Sequence, residues 1–214
     1  MTNCFVADSP VTPVPLLYPP ELPEGLHPQP RVLLLIDGDA VSHGLVDDKP
    51  LERASDQQMR SCLELVYATA TAIDPRPRVR IAASSQTAIH HLDVMAASGA
   101  NTWLVRRGLN GADGALIEEM THLIDARTRI GRPGRRQAGR PADLIILVAQ
   151  DGGYASAVRG LRLLGVPTWL LVPGLFVAAE LYTPACAVTR IGPYLGQGTT
   201  GPAGLRPPPP ARAG

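Results

Sequence analysis

The feature that most limits what this chain can fold into is the run Val32-Leu-Leu-Leu-Ile36, apolar at every position and halted by Asp37-Gly38-Asp39. An alternating strand has one wet face, whereas a short, continuously apolar run fits a strand covered on both faces, as in a parallel sheet. Leu144 to Ala149 and Thr168 to Val172 read the same way, and Val79 to Ala83 and Thr102 to Val105 supply two further strands. Between them lie helical stretches. Ser55 to Gln58 reads as a capping box before Met59, Cys62, Leu63, Val66, Ala70 and Ile73, and Pro75 and Pro77 stop that helix. Helices are also expected over 85–98, about 112–129 and from 153 to 164, with a short one over 176–181. Strand-helix alternation predicts an α/β fold, a three-layer α/β/α sandwich around a mainly parallel sheet.

Composition sets outer bounds. The 214 residues carry 20 Lys+Arg against 19 Asp+Glu and are 45% hydrophobic, which excludes global disorder and a bulk polycation. No apolar run approaches the roughly 20 residues that span a bilayer, and no cationic segment leads into an apolar one at the N-terminus. Three scattered cysteines suit neither a disulfide framework nor a zinc site, so a cytoplasmic protein without a membrane partner is expected. Eight of 22 prolines fall within 1–30 and five within 202–210. Proline fixes φ and removes a donor, so 1–30 and 195–214 are expected to be disordered arms around a domain at 31–194.

In parallel sheets the site lies beyond the carboxyl ends of the strands. Those ends carry acids: Asp37 and Asp39 after the first strand, Asp113 at a helix start after the third, and Asp151 after the fourth, with Glu118 and Glu119 farther along. Each has a local explanation as a turn residue or helix cap. Converging together they would repel, and a hard dication such as Mg2+ or Mn2+ relieves that repulsion through oxygen ligands. Such a site can activate water for phosphodiester hydrolysis. His90-His91 lies on a different helix and reads as surface, while Trp103, Tyr154 and Trp169 read as strand or core residues.

Three segments carry a resemblance: Val32 to Asp39, Gly108 to Met120 with Asp113 and Glu119, and Ile145 to Val158 with Asp151, continued through Gly165 to Val172. In order and spacing they resemble the NYN domain, a branch of the PIN-like nucleases. The resemblance implies metal-dependent hydrolysis of RNA. It assigns Asp37, Asp113, Glu119 and Asp151 as catalytic and metal-holding residues, with Asp39 as an additional metal candidate. Single-stranded RNA is the implied substrate. Ala40, Gly153 and Gln150 depart from the pattern, where Asn, Asp and a small residue are usual. The departures motivate an alternative, an NYN-like RNA-binding or interaction module with weakened turnover.

Arginines 127, 129, 132, 135, 136 and 140 crowd the connection before the fourth strand. Arg129, Arg132, Arg135 and Arg136 are the expected RNA-backbone contacts, because guanidinium forks match phosphate geometry. A haloacid-dehalogenase-like phosphatase is a distant third reading of Asp37-Gly-Asp39. Its chemistry needs a balancing lysine, and the sole lysine, Lys49, is badly placed. A homo-oligomer is left open.

Overall fold

The computed structural model describes residue 17 and residues 26–46, 52–105, 111–128 and 141–192. The elements follow as β1 (Val32–Asp37), α1 (Gly38–Gly44), α2 (Asp56–Ile73), β2 (Arg78–Ser84), α3 (Ser85–Ala97), β3 (Asn101–Val105), α4 (Ala112–Thr128), β4 (Leu144–Val148), α5 (Ala155–Leu163), β5 (Thr168–Val172), α6 (Ala179–Tyr182) and β6 (Ala187–Arg190). All neighbouring strands are parallel, in the order β3-β2-β1-β4-β5-β6.

The apolar runs behave as their lack of alternation demands. Val32, Leu34 and Ile36 face one core with Ile146, Val148, Trp169 and Leu171, under α2 and α3. Leu33 and Leu35 face the other with Ile145, Leu147 and Leu170, under α4 and α5. Both faces of the central strands are therefore dry, and the architecture is the expected three-layer sandwich. The order reverses between β1 and β4, which opens the crevice used by ligands in sheets of this kind.

Three details differ from the expectation. The Asp37-Gly-Asp39 segment opens a seven-residue helix, α1, because the Asp37 carboxylate caps the amides of Asp39 and Ala40. A sixth strand, β6, extends the sheet at the far edge. The N-terminal arm is not wholly outside the fold: Leu17 is 3% exposed within the core beneath α2, and its amide donates to Thr69 Oγ1. A domain boundary at residue 31 omits this anchor. Residues 195–214 lie outside the described residues.

Candidate active site at the sheet crossover

Alternation along β1 decides where Asp37 points. Leu33 and Leu35 face the α4–α5 layer, and two residues on Asp37 faces it too, 3% exposed. There it meets two side chains from separate crossovers. The Tyr154 hydroxyl, at the turn before α5, donates to Asp37 Oδ2 at 2.9 Å and lies 3.4 Å from Asp113 Oδ1 at the start of α4. Asp37 Oδ1 accepts from the amides of Asp39 and Ala40 at 3.0 and 2.9 Å.

Asp151 follows β4, the neighbour of β1, and its Oδ1 accepts from the Gly153 amide at 2.7 Å. A Cβ on Gly153 would lie 3.1 Å from Asp151 Oδ1 and 3.8 Å from Asp113 Oδ2, so both carboxylates border one small space above that glycine. Gln150, just before Asp151, fills a slot between the end of α1 and the segment after β5. A Cβ on Gly44 or Gly174 would stand 2.8 or 2.5 Å from its Oε1, so glycine at both positions leaves room for that side chain.

The electrostatics are unrelieved. Burial pushes the Asp37 carboxyl up to about 7, reinforced by the charges of Asp113 and Asp39 and opposed by the Ala40 amide and the Tyr154 hydroxyl. Asp113 is also raised, first by burial and then by Asp151. Burial and the carboxylates push the Tyr154 phenol up, which keeps it a neutral donor. Among the described residues no arginine, lysine or histidine pairs with Asp37, Asp113 or Asp151.

Of the expected acids, Asp37, Asp113 and Asp151 come together, and two do not. Glu119 is buried and pairs with Arg78, the first residue of β2 at the amino end of the sheet. Six residues along a helix is about 9 Å of rise and roughly 120° of rotation from Asp113, which carries Glu119 away from the cluster. Asp39 turns to the opposite layer, where Oδ1 accepts from the Ser84 hydroxyl at 2.9 Å and amide at 3.1 Å. Glu118 is exposed on α4. Arg129, Arg132, Arg135 and Arg136 lie outside the described residues; Arg127, before them, donates to Asp143 Oδ1 at 2.9 Å.

Tyr154 is the site residue that sequence reasoning passed over. Its ring belongs to the core and is fully buried, as expected of an aromatic there, but its hydroxyl belongs to the acids. The available signal was its place three residues after Asp151, on the turn leading into α5. His91 also departs from expectation. It is 3% exposed, its Nδ1 is 2.8 Å from Asp56 Oδ1, and its Nε2 is 3.3 Å from Ser42 Oγ. Ser42 is wholly buried, so the trio clasps α1, α2 and α3 together and presents no nucleophile.

Three carboxylates with free lone pairs are the hard donors that Mg2+ or Mn2+ takes. The space above Gly153, bordered by Asp113 and Asp151, is where the donor set fits such an ion. Among the described residues no three acidic, histidine or cysteine side chains form a ready cage.

No family model matches the sequence, and no curated protein matches it. Among solved structures, a protein of unknown function from Vibrio parahaemolyticus is similar at 13% identity and a TM-score of 0.45, over 77% of this chain and 95% of that one.

Proposed function

We propose that the chain is a metal-dependent ribonuclease of the NYN type that hydrolyses single-stranded RNA at the carboxyl ends of β1 and β4. The observation that supports this best is the set Asp37, Asp113 and Asp151, gathered at the sheet crossover with no cation among the described residues. Keeping carboxylates together without a counter-charge costs stability, and a site that recruits a dication gives that arrangement a purpose. Asp113 and Asp151 are the ligands next to the space above Gly153, and Asp37 faces them across the Tyr154 hydroxyl. A bound Mg2+ or Mn2+ would supply an activated water and charge stabilisation at the phosphate. The chain's own part is to hold the acids on rigid strand and helix ends. Asp37 is fixed by two amides, and Tyr154 sets the spacing between Asp37 and Asp113.

One observation favours a second reading, a weakened RNA-binding module. The Tyr154 hydroxyl already serves Asp37, and Gly153 provides no carboxylate where the NYN pattern has one. The phosphatase reading lacks its second acid, because Asp39 is bound to Ser84.

The test is full-length protein with end-labelled single-stranded RNA and Mn2+ or Mg2+. Cleavage that EDTA stops, and that Asp37→Asn and Asp151→Asn each remove, is the expected result. Cleavage at the wild-type rate by both variants would exclude this site. RNA retention without cleavage in any metal would select the module.

A further inference from the structure

We propose that Arg80 on β2, stacked on Trp103 of β3, holds a backbone phosphate of the RNA strand whose cleavage is assigned above to Asp37, Asp113 and Asp151. The inference rests on that reading for its ligand and extends it to a second position on the same face of the sheet.

Register places the pair beside the acids. Asp37 stands opposite Ala82 of β2, and Ala82 stands opposite Trp103. Residues aligned across a parallel sheet share a face, and Ala82 belongs to the core under α4 and α5. Trp103 therefore emerges on that face, and so does Arg80, two residues before Ala82. Trp103 lies two strand spacings from Asp37, about 10 Å along the sheet.

Arg80 is a half-buried cation with no carboxylate. Its Cζ lies 5.5 Å from the centroid of the Trp103 ring. Nη1 donates only to the Val79 carbonyl, at 3.4 Å, and Nε is buried without a hydrogen-bond partner. Arg78 pairs with Glu119 and Arg127 with Asp143, but among the described residues no acid pairs with Arg80.

The vacancy follows from how α4 crosses β2. The helix begins beside Asp37 and descends to Arg78, against the direction of the strand. Arg80 is about 7 Å farther up β2 than Arg78, and one turn back along α4 from Glu119 is about 6 Å. That turn brings residue 115 level with Arg80, and it is Ala115, packed against the core. The ladder of ion pairs stops after one rung, with two guanidiniums to one carboxylate. Burial, and then the charge of Arg80, lower the Arg78 pKa below its ordinary value, so the two cations are close enough to repel.

An anion relieves that excess. A guanidinium fork matches phosphate, and stacking on an indole fixes the plane of the fork. RNA is the source that fits, because a strand seated at the acids carries further phosphates on either side and bases that can meet an aromatic ring.

The experiment measures binding of labelled single-stranded RNA to the full chain in EDTA. Arg80→Gln should weaken binding about tenfold and lower the slope of log affinity against log salt by about 0.7. Ala115→Glu supplies the missing carboxylate and leaves Arg80 and Trp103 in place. It should weaken binding as much without lowering the melting temperature, and it decides the matter where Arg80→Gln destabilises the sheet. Arg76→Gln, exposed just before β2, should bind as the wild type does. RNA should also quench Trp103 emission, which is separable because the other tryptophan, Trp169, is wholly buried. Wild-type affinity in both Arg80→Gln and Ala115→Glu overturns the proposal. So does an equal loss in Arg76→Gln, or a quench given by inorganic phosphate and not by RNA. The nuclease reading fails separately: binding that depends on Arg80, with no cleavage in Mn2+ or Mg2+, removes the nuclease and keeps the phosphate position.

Discussion

The two ends of the sheet treat their acids in opposite ways. At the amino end the buried acids among the described residues pair with arginine, and half-buried Asp74 is held by amides. Asp143 accepts from the Arg31 amide and pairs with Arg127, Asp74 accepts from the amides of Val32 and Arg76, and Glu119 pairs with Arg78. At the carboxyl end Asp37, Asp113 and Asp151 have amides and one phenol but no cation among the described residues. Paired acids tie strand starts to helix ends and stabilise the fold. Unpaired ones weaken it, and such a cost persists where the strain serves a site. Neutralising an acid should therefore harm one end and help the other.

The largest effect is expected at Asp143. Asp143→Ala removes the carboxylate that pairs with the Arg127 guanidinium, 22% exposed, and the oxygen to which the Arg31 amide donates. Losing a partner from a largely buried pair costs about 3 kcal/mol. Denaturant melts of the variant would measure it, and a loss below 1 kcal/mol would contradict the structural role given to that end.

Leu17→Ala comes next. The side chain is packed under α2, and deleting a buried leucine to alanine costs about 2–4 kcal/mol. A chain that starts at residue 31 should melt lower by a similar margin. Wild-type stability in both would mean that the anchor adds nothing to the core.

How much of this contrast could be read in the sequence depends on whether a residue's partners are near it in the chain. β1, β4 and β5 were legible because strands dry on both faces need apolar residues throughout. α1 was not, since Gly38, Ala40, Val41, Ser42 and Gly44 are all buried and leave no amphipathic period. β6 was missed because its residues are half-exposed and carry no apolar run. Asp37, Asp113 and Asp151 were legible from their places at strand ends and helix starts. Glu119 and Asp39 were misplaced because their partners, Arg78 and Ser84, come from other elements and register alone brings them near. Tyr154 was hidden for a related reason: one side chain serves both the core and the site.

Tyr154→Phe probes the bridge between those roles. The ring stays in place, and the hydroxyl that reaches Asp37 is lost. A hydrogen bond to a charged group contributes about 1.5 kcal/mol, so the variant should be less stable by that amount above pH 7. Added Mn2+ should raise its melting temperature more than it raises that of the wild type, because an unrelieved carboxylate gains more from a cation. Equal shifts in the two proteins would detach Tyr154 from the acids.

The smallest effect has the opposite sign. Asp37→Asn keeps a carbonyl oxygen for the amides of Asp39 and Ala40 and removes a charge from a desolvated place. In EDTA at pH 8 it should stabilise the protein by about 1 kcal/mol, well inside what removing a poorly compensated buried charge can yield. The pH dependence fixes the cause. The folded carboxyl titrates at about 7 against 3.8 for the ordinary group. Between those values the native state holds a proton that the unfolded state lacks, so wild-type stability from this group rises as pH falls from about 7 toward 4. The wild type's deficit relative to Asp37→Asn should thus be complete above pH 7, shrink as pH falls, and reverse toward pH 4. If the Asp37→Asn gain instead stays constant from pH 8 to pH 4, it arises from packing, and the carboxyl end of the sheet stores no charge.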